Sequence, residues 1–410
     1  DSADVARRER LQERLARHFD ARLADTAPWL QAGGTLAGPS DLSARLDDET
    51  AALVYAVGDD ASYLWAIDAE GHSLHVLPPR DQLQARIVAL RDALQAPGFG
   101  DRALASEAHA LYRELVAPVA ARFADRERLW IVPDGILFEL PFELLLTEPA
   151  GERPDWQDAR YLAREVSIGY APSATLLLQL RDQGAAAATA TVLALADPDF
   201  ESLSSRVGTD DVLPPLPQSR REIEMLQRLR RDETIGLVGA EATETALRRR
   251  LESDRPSIVH LATHGLVDRE EPTLTSVALA RDRTGTDDGY LYTLEIMALP
   301  LDTELVVLSA CDTGRGKLER GEGTVGLTRA FLAAGARRVV ASLWPVADAS
   351  TGRLMARFYE ELLRRGRPVD QALNRARATL WSERETAHPY YWAPFVLMGS
   401  DASVPDSARG

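Results

Sequence analysis

Two strand-like runs in this chain end in groups that do nucleophilic chemistry near neutral pH. Ser257-Ile-Val-His-Leu-Ala-Thr-His264-Gly265 ends in an imidazole followed by a glycine. Glu304-Leu-Val-Val-Leu-Ser-Ala-Cys311-Asp312-Thr-Gly314 ends in the only thiol of the sequence. A thiol attacks an amide carbonyl as thiolate, and an imidazole takes or shares its proton. Gly265 lacks a Cβ, so backbone there approaches a substrate closely, and its N–H with that of Cys311 suits a developing oxyanion. The histidine precedes the cysteine by 311 − 264 = 47 residues. If the two strands are neighbours in a parallel sheet, both side chains face one crevice. No third member is obvious, so a His264/Cys311 dyad is the economical reading. Either residue alone has an ordinary explanation, a small buried hydrophobe or a structural histidine. Their joint placement does not.

Other motifs carry less. His260 lies two strand repeats before His264, on the same side but deeper, where a hydrogen-bonded core histidine is expected. The HxxxH spacing lacks the glutamate of a zinc-peptidase helix. His18, His72, His75, His109 and His388 have no reactive companion in their segments. Gly321-Glu-Gly-Thr-Val-Gly326 matches GxGxxG formally, but no strand runs tightly into it, and Glu322 repels a pyrophosphate. Gly316-Lys317 is followed by Leu318, so there is no Walker A loop, and there is no GxSxG elbow. A single cysteine excludes an intrachain disulfide and a cysteine-based zinc site. No cofactor or metal is expected.

These residues need a scaffold, and the chain supplies one in two halves. Residues 3–24 read as a charged helix with Val5, Leu11, Leu15, Phe19 and Leu23 about a turn apart. Gly33, Gly34, Gly38 and Pro39 break it. Strands are expected at Ala52–Val57, Ser62–Asp68, Ser73–Leu77, Arg128–Val132 and Glu165–Tyr170, with helices at Gln82–Leu94 and Ala103–Phe123. The low-complexity run Gly184–Thr191 is the best linker. Beyond it, strands at Val192–Ala196, Thr234–Val238, Ile258–Ala262, Leu305–Ser309, Val339–Leu343 and Phe395–Met398 alternate with helices at Arg220–Leu229, Thr243–Leu251, Thr324–Ala334, Thr351–Leu363 and Val369–Leu380. That rhythm means an α/β fold with a mostly parallel sheet flanked by helices, whose ligands bind at the carboxyl ends of strands.

Composition bounds the partners. The 410 residues are 45% hydrophobic and 27% charged, which is globular composition. Acids outnumber bases 63 to 47, a formal charge of −16, and Lys317 is the sole lysine. That balance disfavours nucleic acid, which calls for a basic excess. No apolar stretch approaches the ~18 residues of a membrane span. With no visible signal sequence and one thiol, a cytoplasmic location is expected.

Several motifs together resemble the CHAT-domain family, a bacterial branch of caspase-like cysteine peptidases related to separase. They are HLATHG (260–265), LSACDTG (308–314), RGEGTVGLTRAF (320–331), GARRVVASLWPVAD (335–348) and HPYYWAPFVLMG (388–399). VPDGILFELPFELL and YAPSATLLL, earlier in the chain, also look like that family, and the match runs from about 45 to 400. The resemblance implies His264 as catalytic histidine, Cys311 as nucleophile and peptide hydrolysis through a thioester. It also implies a domain plan: an N-terminal helical segment and linker (1–45), a pseudo-caspase-like half (46–190), a catalytic half (191–400) and a tail (401–410). The residue before the scissile bond then meets Asp197, Asp199, Ser309 or Asp348. Asp348 sits in an LW-x-V-x-D loop similar to that of separase, which prefers arginine, so a basic P1 residue is expected. A carboxylate there rewards a guanidinium with bidentate bonds, whereas its ordinary role is to cap the helix that follows. Asp197 and Asp199 have an ordinary role as turn residues. The polar stretch Val267–Gly289 suggests a hairpin and, at Arg281 and Arg283, a self-processing site. The expected partners are a protein or peptide substrate and a regulatory helical-repeat region or protein. The competing readings are a caspase-like scaffold or adaptor whose dyad is unused and, more weakly, a nucleotide-binding α/β protein.

Overall fold

The computed structural model describes residues 37–151, 153–182, 189–203, 213–268, 271–282, 287–309, 311–312, 322–344, 346 and 348–399; at 189, 190, 202, 311, 312, 322–324 and 348 it describes the backbone alone. The helix expected at 3–24, the tail and most of the linker lie outside these residues. So do Arg283 and the first glycine of the GxGxxG match.

In chain order the strands are β1 (Thr50–Ala56), β2 (Ser62–Asp68), β3 (Gly71–Leu77), β4 (Arg128–Val132), β5 (Ser167–Tyr170), β6 (Thr189–Pro198), β7 (Thr234–Gly239) and β8 (Pro256–Ala262). They continue with β9 (His264–Leu266), β10 (Ser276–Ala278), β11 (Tyr290–Tyr292), β12 (Leu305–Leu308), β13 (Cys311–Asp312), β14 (Arg338–Ser342) and β15 (Phe395–Gly399). The architecture is α/β, as the alternation of apolar runs and helical patterns implies. Two compact units divide it: Leu36–Gly184 with Val346–Val404, and Ala185–Pro345.

The first unit orders its strands β3-β2-β1-β4-β5-β15. β1, β2 and β3 form an antiparallel meander, and β1, β4, β5 and β15 run parallel. Gly58 lies in the turn between β1 and β2, and Gly71, at φ +141°, opens β3. Gly169 on β5 is required by packing: a Cβ there would lie 2.7 Å from the Trp130 ring. The helix expected at Ala103–Phe123 stops at Leu115 and resumes as a 3-10 turn, Ala117–Arg122. Pro118 explains the break, since it has no N–H to donate to the preceding turn.

A buried polar cluster ties this unit together. Arg377, on the helix Val369–Trp381, donates to Glu143 Oε1 (2.7 Å) and to the Phe395 carbonyl (2.5 Å). Tyr170 donates its hydroxyl to Glu143 Oε2 at 2.6 Å, and the Phe142 N–H donates to that hydroxyl. Both charged side chains are fully buried. Burial outweighs the guanidinium and pushes the Glu143 carboxyl above its ordinary range.

The second unit contains the sheet β14-β12-β8-β6-β7, parallel throughout. Its central strands are buried along both faces, from Val192 to Ala196 and from Leu305 to Leu308, which is why they read as unbroken apolar runs. A second, four-stranded sheet has the order β11-β10-β9-β13. β10 and β11 pair antiparallel; β10 lies within Val267–Gly289, where a hairpin is expected, and β11 begins just beyond it. No helix among the described residues is long and apolar enough to cross a membrane.

Replacing Arg377 by Met strands the Glu143 carboxylate in the core. Urea unfolding should show a loss of roughly 3–5 kcal/mol, and the double change with Glu143→Gln should recover part of it. Equal losses in the single and double variants would show that the pair is not the source.

Candidate active site

The candidate residues gather beyond the carboxyl ends of the parallel strands of the second unit. β8 ends at Ala262 and β12 at Leu308, and the two are direct neighbours with Leu261 opposite Leu308. Each chain then steps off the main sheet. Thr263 makes the first step, its hydroxyl donating to the Ala278 carbonyl at 2.6 Å. The strands resume as β9 and β13, again parallel, and Cys311 stands opposite His264 with Asp312 opposite Gly265. The offset is unchanged: 308 − 261 and 311 − 264 are both 47. His264 and Cys311 are therefore register partners on the small sheet, one step past the strand ends where the sequence puts them. The side chains of Cys311 and Asp312 lie outside the described set.

His264 is only 1% exposed. Its Nε2 donates to the carbonyl of Pro214 at 2.7 Å, and the Phe200 ring lies 4.9 Å from its own. A carbonyl accepts and never donates, so the proton belongs on Nε2 and the neutral ring offers Nδ1 as acceptor. Burial lowers the His264 pKa; the Pro214 carbonyl and the Asp197 carboxylate oppose that shift without cancelling it. The ring is thus neutral near pH 7, the state a general base needs. Pro214 carries no signal in the sequence, because a backbone carbonyl has no residue signature.

Asp197 sits at a bulge where β6 shifts register against β7, and its φ is +44°. A left-handed non-glycine residue costs on the order of 1–3 kcal/mol unless its surroundings hold it. Here Oδ1 accepts the Leu216 N–H (2.7 Å) and Oδ2 accepts from Arg220 Nε (2.6 Å). Asp199 accepts from the Glu201 N–H and caps the 3-10 turn Phe200–Ser202. Ser309 donates to Glu222 Oε1 at 3.2 Å, and the other carboxylate oxygen lies 3.1 Å from Nε2 of the fully buried His260. Glu222 was hidden in an ordinary helix; its signal is an acid on the buried stripe Ser219, Glu222, Ile223, Leu226. Gly265 lies on β9 between β10 and β13. Asp348 is the first residue of the helix Asp348–Tyr359 in the other unit, and its side chain lies outside the described set.

The family model of the CHAT domain matches residues 105–400. The chain belongs to the CHAT-domain family. Tetratricopeptide repeat protein 28 of Homo sapiens is 39% identical over 118 residues, 28% of this chain, and its Mus musculus counterpart matches equally. This chain spans 5% of the length of those relatives. The Saccharomyces cerevisiae separase–securin complex superposes with TM-score 0.56 at 12% identity, over 89% of this chain and 31% of that one. A second structure of that complex gives 0.53 at 10% identity, over 88% and 31%. At such identities the likeness is one of fold, and the fold of this CHAT domain is caspase-like.

Two-dimensional 15N spectra of the imidazoles should show His264 as the neutral Nε2–H tautomer at pH 7, protonating below the ordinary value of 6.5. A titration at or above 6.5 would contradict the burial described here.

Proposed function

We propose that this CHAT domain is a cysteine endopeptidase acting through a His264/Cys311 dyad. The observation that carries the reading is the pairing of Cys311 with His264 across β13 and β9. Membership of the family and the caspase-like fold support it, as does an imidazole whose tautomer leaves Nδ1 free to accept.

In this reading His264 takes the Cys311 proton as Sγ attacks the scissile carbonyl carbon. The N–H groups of Gly265 and Cys311 receive the oxyanion. Collapse breaks the C–N bond, the imidazolium gives its proton to the departing amine, and a thioester remains. Water, deprotonated by His264, attacks the thioester and releases the carboxylic acid and the free thiol. Because His264 is buried and neutral, activity falls as pH drops through its lowered pKa and the base is lost.

A basic P1 residue remains part of the proposal. Asp197, Asp199 and Ser309 have protein partners; Asp348 is proposed to select a guanidinium on the resemblance of its loop to that of separase. The substrate is a protein. A helical-repeat region or partner protein is the proposed regulator, a reading favoured by the 39% identity to a protein named for its tetratricopeptide repeats.

Incubation with candidate protein substrates, with cuts mapped by mass spectrometry, tests the activity. Cys311→Ala and His264→Ala should each lower cleavage by about 10³-fold or more, as loss of a nucleophile or its base does. Cleavage that persists in Cys311→Ala overturns the reading. In a positional peptide library, cuts after arginine or lysine are expected; cuts after acidic or aliphatic residues alone would remove the basic preference.

A further inference from the structure

We infer that Asp197 is a positioning residue, which fixes His264 by holding the segment whose carbonyl the imidazole binds. The inference rests on the dyad reading above and adds a member to it.

Leu213-Pro-Pro-Leu-Pro217 lies between β6 and the helix Ser219–Leu229. Three of its residues, Pro214, Pro215 and Pro217, have no backbone N–H. Between 214 and 217 the Leu216 N–H is therefore the one main-chain donor, and Asp197 Oδ1 accepts it at 2.7 Å. Each proline ring also locks its own φ, so fixing Leu216 fixes the direction of the Pro214 carbonyl two residues earlier. That carbonyl is the acceptor for His264 Nε2.

The other end of the segment is fastened as well. Leu216's carbonyl accepts both the N–H and the hydroxyl of Ser219, and Arg220 Nε pairs with Asp197 Oδ2. Asp197 thus holds the segment at two points, while Phe200, three residues on, packs against the His264 ring. The β-bulge and the positive φ are what turn the carboxylate off the alternation of β6 and toward this segment. The side chain is 8% exposed and both of its oxygens are engaged. Such a group orients its neighbours and does not wait for a substrate.

The test uses the full chain and alkylation of its single thiol by iodoacetamide across pH 5–9, read by mass, beside the 15N tautomer spectrum of His264. Asp197→Gly removes the carboxylate and accepts the left-handed backbone without strain. It should slow alkylation at pH 7 by about 10-fold, moving the profile toward that of His264→Ala, and should mix the two tautomers; a displacement of about 1 Å costs up to 10²-fold. Asp197→Asn, which keeps an acceptor for the Leu216 N–H, should fall between Asp197→Gly and the native chain. Where Asp197→Gly does not fold, Leu216→Pro deletes the same hydrogen bond from its other side and must give the same change. An Asp197→Gly profile and tautomer identical to the native ones, with His264→Ala still shifted, overturns the positioning role and leaves the dyad standing. A His264→Ala profile identical to the native one removes the dyad itself, and the positioning role with it.

Discussion

Parallel pairing between two β segments, held at a constant offset of 47 residues, is the constraint on which the site depends. The offset is set deep in the sheet, where Ile258 to Leu261 lie against Leu305 to Leu308 and all are buried. A slip of one residue would turn every one of these side chains to the other face, breaking the packing on both faces and carrying His260 away from Glu222, so the register is costly to change. The pairing then survives a break in both chains and places Cys311 opposite His264 on a second sheet. Core packing thereby sets which residues stand side by side at the candidate site.

Around His264 the physics is that of a buried imidazole whose neutral form is favoured. Burial disfavours its charged form, and a backbone carbonyl occupies one of its nitrogens. The carbonyl comes from a proline-rich stretch, whose stiffness limits the entropy lost in holding it still. Nearby, Glu222, Ser309 and His260 form a separate buried polar group. It joins a helix to the ends of two central strands, and paired polar groups of this kind fix geometry more than they add stability.

Much of this was legible in the residues. Ser62–Asp68 and Arg128–Val132 are strands with the bounds their apolar patterns give, because continuous or alternating burial leaves a period to read. That the histidine and cysteine strands are neighbours was a condition of the sequence reading, and the pairing of β8 with β12 meets it. The end of β8 at Ala262 was legible, but the resumption of the chain on a second sheet after Thr263 was not, since no residue there signals a change of sheet. Nor was the carbonyl of Pro214, whose role comes from backbone position and not from residue type. Asp197 and Ser309 stood out as polar groups at strand ends, but their partners Leu216, Arg220 and Glu222 are set by tertiary packing that no local pattern encodes.

The central claim is that the one thiol of this chain and the His264 imidazole act on the same bond. A crystal structure of the chain trapped with a peptidyl electrophile measures it most directly. The account predicts a covalent bond from Cys311 Sγ to the electrophile, with His264 Nδ1 within about 4 Å of that sulfur. An adduct on another residue, or an imidazole turned away from the sulfur with its Nδ1 bonded elsewhere, would contradict it.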